Sequence, residues 1–114
     1  MTSRGIEGLF VETHNWGKAV KFFQALGYQL EFETDHHSGQ LRNGDGPYLF
    51  VAEVPEDQRT SVQVIIGVDD AAAFEVSSAM DVITPFQPTH WGTEEMTVRD
   101  PDGRIWSLQA PGAS

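Results

Sequence analysis

The 114-residue sequence predicts an α+β fold made of two consecutive βαβββ modules. Three observations predict it. A strand-former run followed by a helical pattern occurs twice, turn-rich segments separate short alternating runs, and Pro55 to Ser61 is a polar linker between the halves.

The first module spans about residues 5–54. Ile6 to Val11 is rich in strand formers, and Asn15 stands where a helix N-cap belongs. Trp16, Ala19, Val20, Phe23 and Leu26 then recur at three and four residues, which makes one buried helical stripe. Gly27 follows where a helix terminus calls for positive φ. Tyr28 to Glu33 alternates with period two, as a half-buried strand does. Turn signals at Ser38-Gly39 and Asn43-Gly44-Asp45-Gly46 bracket a short strand at Gln40 to Arg42, and Tyr48 to Val54 is the fourth strand.

The second module spans about residues 62–110. Val62 to Val68 is an apolar strand, and Asp69-Asp70 caps a predicted helix from Ala71 to about Met80. Val82-Ile83 begins a short strand that Pro85 and Pro88 interrupt. Thr93 to Arg99 and Arg104 to Ala110 form a hairpin around Asp100-Pro101-Asp102-Gly103.

Composition narrows the function. With 39% apolar and 21% charged residues the chain reads as soluble and globular. Seven Lys and Arg against seventeen Asp and Glu give a net charge of −10. Phosphate binding needs clustered cations, so a nucleic-acid groove is disfavoured and neutral or cationic small ligands are favoured. The absence of cysteine excludes disulfides, thiolate nucleophiles and cysteine-ligated zinc. Met1 to Gly5 lacks the apolar run of a signal peptide, and no stretch is long enough to span a bilayer. The expectation is a cytoplasmic protein.

Polar motifs give no catalytic centre. His36 and His37 are neighbours whose side chains diverge on extended backbone, which suits a solvated hairpin tip. His14 stands at the mouth of the first helix, and His90 beside Trp91 is the stronger pocket candidate. Glu94 and Glu95 alternate to opposite faces, Glu94 with Met96 and Val98, Glu95 with Thr97 and Arg99. They therefore cannot share acid and base work. Gly44-x-Gly46 is too short for a phosphate loop.

Period two also sorts the apolar side chains. Trp106, Leu108, Phe50, Ala52, Val64 and Ile66 are expected to face the helices. Phe10, Leu49, Val51, Ile65, Ile105 and Ser107 are expected on the opposite face, with Glu12, Glu53, Gln63 and Gln109 as its polar members. Phe32, Phe86 and Trp91 supply further stacking walls.

The run K-A-V-K-F-F-Q-A-L-G-Y at Lys18 to Tyr28 and the run W-G-T-E-E-M-T-V-R-D-P-D-G-R-I-W-S-L-Q at Trp91 to Gln109 resemble the vicinal oxygen chelate superfamily. That group holds glyoxalase I, extradiol dioxygenases, fosfomycin-resistance enzymes and bleomycin-resistance proteins, and Trp91-Gly92-Thr93 looks most like the last branch. The resemblance implies curled mixed sheets around a ligand cavity with helices outside. It also implies metal ligands on the first and last strand of each module. Carried over, those places fall on Gly8, Val51, Gln63 and Ser107, of which only Gln63 is a ligand type.

The expectation is therefore a binding protein without metal, cofactor or catalytic residue. It would sequester a planar aromatic or cationic, antibiotic-like molecule and confer self-resistance. Its ligand-binding residues would be Phe10, Phe32, Leu49, Val51, Glu53, Gln63, Ile65, Phe86, His90, Trp91, Ser107 and Gln109. A homodimer with pockets at the subunit interface is implied by the resemblance. The alternative is a metal-dependent lyase, isomerase or dioxygenase with Glu53, Gln63, Gln109 and His90 or His14 as irregular ligands.

Overall fold

The strongest periodic signal becomes the helix α1 (Trp16–Ala25). Asn15 caps it by accepting a hydrogen bond from the Lys18 amide, satisfying one of the unpaired N–H groups of the first turn. Gly27 ends it at φ +98°, and the amides of Gly27 and Tyr28 donate back to the carbonyls of Gln24 and Phe23. The computed structural model describes residues 3–112, which form two compact units, Gly8–Gln63 and residues 64–112 with 3–7.

In the first unit the strands are β1 (Ser3–Thr13, from Gly8 on), β2 (Gln29–Glu33), β3 (Ser38–Arg42) and β4 (Tyr48–Glu53). β1 pairs parallel with β4, which pairs antiparallel with β3, which pairs antiparallel with β2. Helix α1 packs on one face, where Trp16, Leu41, Leu49 and Val51 are buried with Leu9, Val11, Ala19, Val20 and Phe23 around them. Trp16 is pinned twice, its amide donating to Glu53 Oε2 at 2.8 Å and its indole Nε1 to Glu33 Oε2 at 3.2 Å.

This packing corrects the predicted facing of β4. Leu49 and Val51 lie under the helix, and Glu53 serves the helix N-terminus, while Phe50 and Ala52 point the other way. A strand alternates with period two, so a misassignment of one residue inverts every side chain. The bulky Trp16 sets the facing, because it packs with the 49/51 pair.

The second unit uses the strands β5 (Val62–Val68), β6 (Asp81–Pro88), β7 (Thr93–Arg99) and β8 (Ile105–Pro111). β5 pairs parallel with β8, β8 antiparallel with β7, and β7 antiparallel with β6. The pairing plan repeats that of the first unit. The helix does not. Residues 69–80 form turns, so only the first unit is βαβββ. Asp70 Oδ1 accepts from the Ala72 amide and Ser77 Oγ from the Ala79 amide, local bonds that compete with helical ones.

Two smaller differences have equally local causes. β6 continues through Pro85 to Pro88 instead of stopping at residue 83, with register shifts between Val82 and Thr84 and between Thr84 and Gln87. Proline is tolerated there because β6 has a hydrogen-bonded neighbour on one side only. The core of this unit is Val68, Met96, Val98, Leu108 and Ala110, with Ile66 and Trp106 beside it, so the predicted facing of β8 holds for Trp106 and Leu108.

Candidate functional site

On the first unit, the sheet face opposite α1 carries an aromatic patch. Phe10 and Phe50 stack with centroids 5.9 Å apart and planes at 16°, and Phe32 lies 6.3 Å from Phe50. Phe32 is 49% exposed, while Phe10 and Phe50 are half-buried. The register explains Phe32. Leu30 faces Leu41 and Phe32 faces Gln40, so Glu31 is an extra residue in the strand. This bulge turns Glu31 and Phe32 towards the same side. Tyr48 lies over Gly8, where a Cβ would come within 2.7 Å of the ring, so glycine is what lets that ring lie flat on the sheet.

Charge borders the patch. Glu31 accepts from Gln40 Nε2 at 3.0 Å and Arg42 Nε at 3.2 Å, and the Gln40 amide, then Arg42, holds its carboxyl below the ordinary carboxylate range. Arg42 also lies over the Tyr48 ring at 5.6 Å. At the end of β1, Glu12 accepts from the amide and hydroxyl of Ser61 and from Gln58 Nε2.

On the second unit, the face opposite its core carries Glu95 and Thr97 from β7, which stand across from Gln109 and Ser107 of β8. Ile65 pairs with Ser107, and both are buried. Burial pushes the Glu95 carboxyl up, a shift that the Ser107 hydroxyl opposes by donating to it. Sequence reasoning set Glu95 aside by rejecting its pairing with Glu94; the alternation that separates them also turns Glu95 towards Ser107.

The remaining sequence candidates scatter. Phe86 packs edge-on against Phe74 at 6.0 Å within the core, so it is no stacking wall on the open face. His90 and Trp91 make an edge-to-face pair at 4.9 Å on a loop, with Trp91 57% exposed. Gln63 is half-buried at the start of β5. His14 Nε2 donates to the Gln58 carbonyl at 2.7 Å, beside a recess of about 400 Å³ that Lys18 and Phe22 also line. His36 is exposed beside Asp35.

The donor chemistry does not fit a divalent metal. Among the described residues no three His, Asp or Glu side chains come together as ligands. Gly8 offers no donor, Val51 is fully buried under the helix, and Ser107 is a neutral hydroxyl engaged with Glu95.

Comparison with known proteins gives the fold. No family profile matches the chain. A curated protein of Mycolicibacterium smegmatis, itself uncharacterized, is 25% identical over 96 residues, 79% of this chain and 81% of that protein. A glyoxalase/bleomycin resistance protein/dioxygenase superfamily member from Vibrio splendidus superposes with a TM-score of 0.68 at 19% identity, covering 96% of this chain and 99% of that one. BphC, a halotolerant catechol dioxygenase, gives a TM-score of 0.64 at 16% identity, covering 98% of this chain and 41% of the dioxygenase. Enzymes are thus among the proteins that share this fold, and the fold alone does not choose a chemistry.

Proposed function

We propose that this chain, whose fold is that of the glyoxalase/bleomycin resistance protein/dioxygenase superfamily, is a metal-independent binding protein that sequesters planar aromatic cations of antibiotic type. The observation that supports this is the Phe10–Phe50–Phe32 patch on the helix-free face. Its half-exposed rings offer stacking surface, each stack contributing about 0.5–1.5 kcal/mol beyond area burial. The net charge of −10 speeds the approach of a cation. The poor donor set supports a role without metal. A cytoplasmic homodimer is part of the same reading, and sedimentation equilibrium tests the dimer.

Titration calorimetry with a cationic anthraquinone, run with and without excess chelator, tests the function. Saturable binding that chelator leaves unchanged, and that Phe50→Ala weakens about tenfold, is the expected result. Binding that disappears on chelation, or a stoichiometric divalent ion in protein purified without chelator, overturns it.

A further inference from the structure

The turn segment that replaces a second helix leaves space beneath it. A cavity of about 620 Å³ lies there, walled by Ile66, Phe74, Met80, Val98, Trp106 and Leu108. Its size falls in the range of small-molecule pockets, and its walls are largely apolar. It lies on the core side of the second unit, with Val98 and Leu108, and not on the face that carries Glu95.

Among the described residues, three charged groups line it: Glu75, Arg99 and Asp100. Arg99 is neutralised by Asp81 at 3.2 Å. Asp100 is fully engaged, Oδ1 accepting from the amides of Asp102 and Arg104, and Oδ2 from Trp106 Nε1 and Arg104 Nη1. Glu75 has no hydrogen bond or ion pair among the described residues. An apolar hollow with one uncommitted carboxylate at its lining is complementary to an apolar body bearing one positive charge. We infer that this cavity is a binding site for compact apolar amines, separate from the aromatic patch of the first unit.

The test uses the ¹⁵N-labelled full chain and three probes sharing one skeleton: adamantan-1-amine, adamantan-1-ol and adamantane-1-carboxylate. The readout is the indole N–H resonance of Trp106, one of three tryptophans. The amine should shift it saturably, binding about 2- to 5-fold more tightly than the alcohol, with the carboxylate weakest. Glu75→Gln should erase the advantage of the amine over the alcohol. Ala79→Phe, which fills the cavity from an exposed position, should abolish the shift while the Trp16 and Trp91 resonances stay in place. Phe50→Ala should change nothing here, which separates this site from the proposed anthraquinone site. No saturable Trp106 shift, an undiminished shift in Ala79→Phe, or equal affinity for all three probes overturns the inference.

Discussion

Residues 8–63 and residues 64–112 pair their strands in the same order but cover them with different material. In the first unit a ten-residue helix, capped at both ends, closes over Trp16, Leu41, Leu49 and Val51. In the second, residues 69–80 cross the equivalent face as turns held by short-range bonds such as Ala73 N to Asp70 O and Met80 N to Ser77 O. A helix brings a continuous apolar stripe to the sheet, whereas turns bring isolated side chains and leave the 620 Å³ hollow between them. Four strands paired in this way therefore do not depend on the helix for their order. What the helix supplies is dense packing.

The largest expected effect tests that density. Leu41 is fully buried under α1, so Leu41→Ala should cost about 2–5 kcal/mol of unfolding free energy in urea melts. Phe74 is the counterpart under the turns, half-buried and in edge contact with Phe86. Because that neighbourhood is already hollow, Phe74→Ala should cost clearly less, roughly 1–2 kcal/mol. Equal costs would mean that the turn segment packs as tightly as a helix, and the comparison would fail.

The contrast also shows which parts of the fold are legible in sequence. The Trp16–Phe23 stripe carries its own cap and terminus, so α1 is readable without any tertiary knowledge. Residues 71–80 offer Asp70 as a cap and seven apolar side chains, with Ala73, Val76 and Met80 at helical spacing, yet Asp70 and Ser77 bond to nearby amides in competition with the helix. Strand existence is equally readable, because Val62–Val68 and Thr93–Arg99 declare themselves by composition. Strand facing is less so. In β8 the large Trp106 and Leu108 share one parity, and the core takes them. In β4 both parities are apolar, and only contact with Trp16 decides that Leu49 and Val51 go inside while Phe50 joins the open-face aromatics. For the same reason Phe10 and Phe32 stand where the aromatic patch needs them, whereas Leu49, Val51 and Glu53 do not. The bulge at Glu31, which turns Phe32 outward, leaves no mark in the sequence pattern.

A smaller effect separates the two sheet faces that lie opposite the cores. The first unit offers aromatic rings there, and the second offers Glu95, Thr97, Ser107 and Gln109. Burial raises the Glu95 carboxyl, so its charged form is disfavoured in the folded chain. Stability linked to Glu95 is present below the unfolded carboxylate range and is lost as pH rises through the raised value. Glu95→Gln should therefore raise the Tm at pH 7, and the gain should vanish in acid, where the wild-type carboxyl is protonated. Thermal melts across pH 3 to 8 measure this, and an unchanged or lowered Tm at pH 7 would remove Glu95 as a polar weak point.

The subtlest effect concerns how the second unit holds its cavity wall without a helix. Asp100 reaches back from the Asp100–Gly103 turn to the Trp106 indole at 3.0 Å, fixing the ring that walls the hollow. The indole first, then the Arg104 and Asp102 amides and the Arg104 guanidinium, hold its carboxyl down to about 2. The folded value lies below the unfolded one near 3.9, so the contribution of Asp100 is complete above that range and is lost as pH falls through about 2. The Trp106 indole resonance should accordingly hold its position from neutral pH down to about 3 and move only below that. Asp100→Asn should displace the resonance at neutral pH and remove the low-pH step. A step centred near 4 would mean that the ring stands free of the turn, and that the cavity wall is set by core packing alone.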